Sequence, residues 1–311
     1  MTHISIFYMQ RFSNINALLA FVTVVKEGSV SAAADAMNLT QPAISHQLKR
    51  LSAETDVVLF KRTSSGLQLT QDGANLVAKA ERVIEAATDF HRSAHKRAGR
   101  ISGKLRIGTI VDPAFIRLGQ MLHHMRNDYP DIETELIHGV SGETLSRLRR
   151  NQIDAGFYLS GPDEFENTQS DQEEPIHALR LADFNYRIIG PTGWQKQLET
   201  ASWIELAALP WIGTPEVSVH HRLLKPIFAT HDVVQNIVAR VDQEASMLEM
   251  VRSGIGLSLC RDSIALSQKQ SSGLALCPEI HVPATLSFIT LAQRKDDITT
   301  SVLFKSVGRI W

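Results

Sequence analysis

Near residue 100 the hydrophobic pattern of this 311-residue chain changes its period. Before that point apolar residues recur at helical spacing; after it, short apolar runs alternate with amphipathic segments. A chain patterned this way folds as a mostly helical front unit followed by a larger α/β unit, and 311 residues suffice for both.

In the front unit, Leu18, Phe21, Val22 and Val25 mark one face of a first helix that Gly28 ends. Ser29 is placed to cap a short second helix with Val30, Ala33, Ala34 and Met37 facing inward. Thr40 is placed as the N-cap of a third, which tolerates Pro42 in its first turn and buries Ile44, Leu48 and Leu51. The opposite face of that helix presents Gln41, Ser45, His46 and Lys49, with Arg50 beside them. A tight turn before a helix with a polar face describes a helix-turn-helix, although a small bundle with a solvated face gives the same pattern. The chemistry suits base edges, because the Gln41 amide donates and accepts at once and Lys49 donates to guanine or phosphate. Residues 59–62 and 67–70, joined by a Thr-Ser-Ser-Gly turn, then read as a two-stranded wing. Lys61 and Arg62 at its base would neutralise phosphates.

Four linked runs make the pattern specific: Ser31-Ala32-Ala33-Ala34, Thr40-Gln41-Pro42-Ala43-Ile44-Ser45, Leu59-Phe60-Lys61-Arg62 and Leu69-Thr70-Gln71-Asp72-Gly73. In these the chain resembles the LysR-type transcriptional regulators, most strongly over residues 14–75. The resemblance implies a winged helix-turn-helix over residues 1–70 whose DNA-binding set is Ser31, Thr40, Gln41, Pro42, Ser45, His46, Lys49, Arg50, Lys61 and Arg62. Three positions depart from the family's usual pattern: His46 stands where arginine is common, Ser52 where glutamate is, and Asp56 where a glycine ends the third helix. Asp56 is tolerable because aspartate enters the left-handed region at modest cost. His46 alters a phosphate or guanine contact and so the operator preference.

Thr70 opens a long helix over residues 71–96, in which Leu76, Ala80, Val83, Ala87 and Phe90 follow a heptad-like seam that predicts dimerisation. Residues 97–103, basic and containing Gly99 and Gly103, read as a hinge. Met9 lies just ahead of the patterned region, so residues 1–8 read as a loose extension or a misplaced start.

From residue 104 the spacing predicts strands at 105–109, 132–137, 155–159, 186–189, 211–212, 237–241, 255–260 and 286–291. Helices are expected at 114–126, 142–149, 245–252 and 299–307. The alternation implies a parallel sheet with crossover helices. By resemblance, residues 104–311 form an effector-binding domain of two α/β lobes like the periplasmic binding proteins, with a small molecule in the cleft between them. Ligands of such sheets sit at strand exits against helix N-termini, which singles out Thr109, Asp112, Ser141 and Thr214. Each has a plainer reading: Asp112 and Ser141 as helix caps, Thr214 as the end of a turn. An Asp112 facing the cleft would favour a hydroxyl or amine over a carboxylate. Residues 160–175, with six acidic side chains and no basic one, read as a solvated loop.

Charge and composition narrow the function. Residues 1–100 carry 12 Lys/Arg against 8 Asp/Glu and the remainder 20 against 25, a basic front suited to a polyanion and an acidic back. Only Cys260 and Cys277 occur, which excludes a disulfide scaffold; two buried thiols are expected, with a redox pair as the alternative. The chain lacks a phosphate-binding loop and a nucleophile elbow, and the adjacent His123-His124 and His220-His221 pairs lack metal-ligand spacing, so solvated histidines are expected. The reading is a cytoplasmic regulator, not an enzyme, with no cofactor and no metal. Its expected partners are double-stranded DNA as an interrupted inverted repeat, a small-molecule effector and further copies of itself as homodimer or homotetramer. It admits RNA polymerase as a partner and excludes a membrane. An α/β enzyme with a fused helical domain and a DNA-binding protein without an effector stay as alternatives.

Overall fold

The computed structural model describes residues 15–63, 66–94, 101–110, 112–162, 164 and 174–311. They belong to two compact units that divide between Arg100 and Ile101.

The first unit holds helices α1 (Ile15–Glu27), α2 (Val30–Ala36) and α3 (Gln41–Thr55), the hairpin β1 (Phe60–Thr63) and β2 (Gly66–Leu69), and the long helix α4 (Gln71–Ala94). Local chemistry sets its boundaries. Gly28 takes φ +75° after α1, and the Ser29 hydroxyl accepts from the Ala32 amide at 3.1 Å to start α2. Thr40 caps α3 through the Ala43 amide at 3.4 Å. Asp56 ends α3 in the left-handed region at φ +54°, the conformation that glycine would take without a Cβ penalty. Leu18, Phe21, Leu51, Leu59 and Ala80 form one core, and Ala20, Val24, Ala33, Ala34 and Ile44 another. The buried stripe of α1 is Ala17, Leu18, Ala20, Phe21 and Val24, while Val22 and Val25 are only half-buried. The expected stripe was narrower because α1 packs against three helices, α2, α3 and α4, and its alanines let them approach. Phe21 meets Phe60 edge-on at 5.6 Å and so ties the hairpin to the helices.

The second unit alternates strands and helices: β3 (Gly103–Thr109), α5 (Leu118–Asp128), β4 (Ile132–His138), α6 (Ser141–Arg149), β5 (Ala155–Ser160) and β6 (Ile176–Gly190). There follow α7 (Gln195–Glu199), α8 (Trp203–Ala208), β7 (Trp211–Gly213), α9 (Val219–Thr230), β8 (Ile237–Arg240) and α10 (Glu244–Arg252). The chain closes with β9 (Ser258–Arg261), α11 (Asp262–Ser272), β10 (Ala275–Leu291) and α12 (Ile298–Ile310).

The sheet is mixed, which corrects the expected parallel one. Its order is β4-β3-β5-β10-β6-β9; β3 runs parallel to β4 and β5, whereas β10 and β6 are antiparallel to each other and to their other neighbours. β6 and β10 pair from Ala275–Gly190 to Leu291–Ile176, far beyond the short strands expected at 186–189 and 286–291. One end of this long pair joins β3, β4 and β5 in a first lobe. The other end joins β9, with the β7–β8 pair reached through a Trp211–Leu257 bridge, in a second. Phe157, Phe288 and Ile107 are fully buried in the first lobe; Val251, Cys260 and Ile212 pack the second. The helix expected from residue 114 begins at Leu118, because Arg117 takes φ +50° and breaks the helical path. Helix α9 was not expected; Pro226 inside it removes an amide donor from its pattern.

Candidate functional site

On α3, Ile44 and Leu51 are buried while Gln41, Pro42, His46 and Lys49 on other faces are exposed and Ser45 is half-exposed. Thr40 and Ser31, at the starts of α3 and α2, are exposed too. Arg50 is committed within its own helix, donating to Glu54 at 2.8 Å. Lys61 is exposed on β1, opposite Gln68; the Arg62 and Thr63 side chains and the hairpin tip at residues 64–65 lie outside the described part. The structure thus brings most of the expected DNA-binding set onto two surfaces of one unit.

Along α4 the expected seam divides. Ala80 is buried in the unit's own core and Leu76 packs against that core, whereas Val83 is 45% and Phe90 72% exposed, and Ala87 is half-buried. The end of the expected helix at residues 95–96, and residues 97–100 of the expected hinge, lie outside the described residues.

In the second unit a cavity of about 70 Å³ opens between the lobes. Ile110, Asp112, Phe115, Val140, Ser141 and Leu159 wall it from the first lobe. Ser218, Val219, His220, Asp242, Glu244, Met247 and Arg261 wall it from the second, with Tyr186 of the crossing strand β6. Asp112 lines the cavity and caps the turn at residues 113–117, not the helix, which starts only at Leu118. Its Oδ1 accepts from the Ala114 and Phe115 amides, each at 3.0 Å, and its Oδ2 accepts from the Arg261 guanidinium across the cleft. Arg261 also donates to Glu244 at 2.9 Å and lies 4.2 Å from the centre of the Phe115 ring. Burial pushes the Asp112 carboxyl up, but the Phe115 amide and the Arg261 guanidinium outweigh it and hold the group below its ordinary value. Burial likewise opposes the Arg261 charge, and Glu244 with Asp112 more than restores it.

Ser141 lines the cavity, yet its hydroxyl accepts from the Leu159 amide at 2.6 Å and donates to the Leu159 carbonyl at 3.2 Å. It is the first residue of α6 rather than its cap, which is Val140 and offers no side-chain bond. Thr109 and Thr214 are buried away from the cavity wall. Thr109 lies 3.3 Å from the His138 ring, and the Thr214 hydroxyl has no partner among the described residues. Thr109 ends β3 and Thr214 directly follows β7, and neither lines the cavity.

Sequence reasoning missed His220, Arg261, Tyr186 and Glu244. His220 was expected in solvent, but it is 8% exposed and packs edge-on against Tyr186 at 4.6 Å. Burial, with the nearby Arg261 charge, lowers its pKa to about 4, so the imidazole is neutral. The only sequence signal was Ser218 preceding a helix that Pro226 disguised. Glu164 was expected in a solvated loop; instead it accepts from Arg222 of α9 at 2.6 and 2.7 Å and from the Tyr158 hydroxyl. Arg222 also donates to the Leu159 carbonyl at 2.5 Å, a second clasp between lobes. The lobes also approach closely at Gly142, where a Cβ would fall 1.7 Å from the Val217 carbonyl oxygen. Residues 163 and 165–173 of the expected acidic loop lie outside the described residues.

Both cysteines are buried. Burial pushes the Cys260 thiol up to about 12 and also raises that of Cys277, so neither forms a reactive thiolate readily. Among the described residues no group of three His, Cys, Asp or Glu side chains is arranged for a metal, and no single helix is long and apolar enough to cross a membrane.

Residues 15–74 match the model of the bacterial regulatory helix-turn-helix protein, lysR family, and residues 98–307 that of the LysR substrate binding domain. The chain is 32% identical over 151 residues to the HTH-type transcriptional regulator GltR of Bacillus subtilis (strain 168), a match spanning 49% of this chain and 50% of that protein. Full-length CbnR, solved in complex with its target DNA, is similar in fold with a TM-score of 0.60 at 20% identity, over 96% of this chain and 99% of CbnR. A full-length OxyR variant from Pseudomonas aeruginosa gives 0.66 at 19% identity, over 95% of each chain. With one family model on the helix-turn-helix and another on two-thirds of the chain, this protein belongs to the LysR family of transcriptional regulators.

Proposed function

We propose that α3 enters the major groove of double-stranded DNA with Gln41, Ser45, His46 and Lys49 at base edges or phosphates, and that Ser31, Thr40, Pro42, Arg50, Lys61 and Arg62 fix register on the backbone. The observation that carries this is the split of α3 into a face buried by Ile44 and Leu51 and an exposed polar face. A second copy pairs along α4, through Val83, Ala87 and Phe90 beyond the part that Leu76 and Ala80 anchor, so the operator is an interrupted inverted repeat. CbnR, solved on its target DNA, shares this fold and supports the reading.

The cavity between the lobes receives the effector, with Asp112 and Ser141 among its contacts and Thr109 and Thr214 acting from behind the wall. Binding favours one lobe arrangement by the ligand's differential affinity for it and so changes how the DNA-binding units are presented. The protein acts in the cytoplasm as a regulator and not as an enzyme, and RNA polymerase is a further partner.

Fluorescence anisotropy with the DNA upstream of the protein's own gene, at two salt concentrations and with random competitor, tests the DNA-binding half. Salt-dependent binding that survives competitor is expected. Binding competed equally by random DNA would overturn the base-reading role of α3.

A further inference from the structure

We infer that the cavity between the lobes is built for a compact zwitterion, an amino acid of about five to seven non-hydrogen atoms, whose carboxylate faces the N-termini of α6 and α9 and whose ammonium faces Asp112, Glu244 and Asp242. The inference rests on the cavity being the effector site.

Groups of both signs line this cavity. Three carboxylates, of Asp112, Asp242 and Glu244, face it with one guanidinium, that of Arg261. Since Arg261 already bonds Asp112 and Glu244, these four groups leave an excess of negative charge. The lining also includes Val140 and Ser141 at the start of α6, nine residues long, and Ser218, Val219 and His220 at the start of α9, twelve residues long. Neither helix has a side-chain cap, so first-turn amides and about half a positive charge at each end are left for a ligand. The acid in the first turn of α6, Glu143, is paired with Arg147 at 2.8 Å. A lone carboxylate would meet the three carboxylates uncompensated, and a lone amine would meet two helix N-termini.

His220 supplies an independent sign that a ligand belongs here. It is more than nine-tenths buried, lines the cavity, and its ring nitrogens have no hydrogen-bond partner among the described residues. The Tyr186 and Ser218 hydroxyls on the same wall are likewise without a partner there. These polar groups open onto the cavity and not onto another side chain, so whatever fills the cavity is what bonds them. One neutral imidazole and two hydroxyls suit the carboxylate and any hydroxyl of a small amino acid. Size follows from volume, since about 10–15 Å³ of such space holds one water and about 70 Å³ is available.

The test is isothermal titration of the full chain with glycine, L-alanine, L-serine and β-alanine, beside acetate, propionate, lactate, ethanolamine and propylamine. At least one zwitterion should bind about tenfold or more tightly than every singly charged compound. Gly142→Ala, which puts a methyl group against the Val217 carbonyl, and His220→Gln should each weaken that binding about tenfold. If only carboxylates or only amines bind and Gly142→Ala abolishes the binding, the cleft remains the effector site and the zwitterion inference is wrong. If a zwitterion binds and neither variant alters it, the cleft itself is the wrong site. No heat from any of these compounds up to about 10 mM, well above a millimolar Kd, would also overturn the inference.

Discussion

On α3 the groups offered to a partner stand on the outside of a well-packed helix, with Gln41, His46 and Lys49 exposed above buried Ile44 and Leu51. At the cavity the offered groups are themselves part of the interior, with Arg261 at 7%, Tyr186 at 3% and His220 at 8% exposure. The first surface keeps its charges in water, where neighbouring charges act weakly and salt screens them. In the cavity burial moves the titration of Tyr186 and His220 away from ordinary values, and the bonds between Asp112, Glu244 and Arg261, against burial, move those of Asp112 and Arg261. The surface proposed for DNA would therefore recognise by long-range charge and local edge contacts, and changes there leave the fold alone. The cavity holds its polar groups under electrostatic tension, so changes there should register in stability before any ligand is added.

Arg261→Leu should break that comparison most sharply. It leaves Asp112 and Glu244 facing each other without the cation they share, and removal of one partner from a buried ion pair costs about 3–5 kcal/mol. Because the Asp112 side chain is 30% exposed, the lower end of that range is expected. Denaturant unfolding of the full chain measures it, and adding Asp112→Asn and Glu244→Gln should restore most of the loss. An Arg261→Leu variant as stable as the parent would mean that the cluster contributes nothing to holding the lobes together.

His220 gives the comparison a pH signature. Folding lowers its pKa from 6.5 to about 4, so the unfolded chain takes up the proton first. Its contribution is intact above pH 6.5 and is lost as pH falls towards 4. A pKa displaced this far by folding corresponds to roughly 3 kcal/mol of stability. The charged groups beside it in the cavity wall are Arg261, Glu244, Asp112 and Asp242, with the Tyr186 phenol against the ring. His220→Gln should flatten the fall in unfolding free energy between these pH values. An equally steep fall in the variant would assign the pH dependence to other groups.

The same division explains what the sequence disclosed. In the first unit the caps Ser29 and Thr40, the left-handed Asp56 and the polar face of α3 act over three or four residues, and local spacing exposes them. At the cavity Asp112 meets Arg261 from 149 positions away, and Glu164 meets Arg222 from 58. No periodicity records such pairs. Strand exits led to Asp112 and Ser141, which line the cavity, because a strand exit is a local feature too. Thr109 and Thr214 share that sequence context but turn into the protein, since only the pleat and the neighbouring strand decide which side of an exit a side chain takes. The long crossing of β6 and β10 escaped for a related reason: a half-buried stretch at the start of β6 and a largely exposed one in mid-β10 interrupt the apolar runs that mark a buried strand.

Within the DNA-binding unit, Gln41→Ala should act on discrimination rather than on stability. The exposed amide is lost from the start of α3 without disturbing the Thr40 cap. A bidentate contact to adenine carries about 1–3 kcal/mol of preference over a wrong base. Competition binding should show operator affinity falling towards that for unrelated DNA. Equal weakening on both would make Gln41 a backbone contact and place base reading elsewhere on the helix.

Lys61→Ala should have the smallest effect and the plainest mechanism. The residue is exposed on β1, opposite Gln68 of the hairpin, and so can lie against a phosphate without touching a base. Neutralising one phosphate releases about 0.9 counterion from duplex DNA, so the plot of log affinity against log salt should become shallower by about one unit. Operator and random DNA should weaken alike, because a point charge on the backbone carries no sequence information. If the slope is unchanged while operator affinity alone falls, Lys61 reads sequence and the wing belongs with α3 as a recognition element. If nothing changes on either DNA, the wing stands clear of the duplex, and α3 with the start of α2 must supply the phosphate contacts.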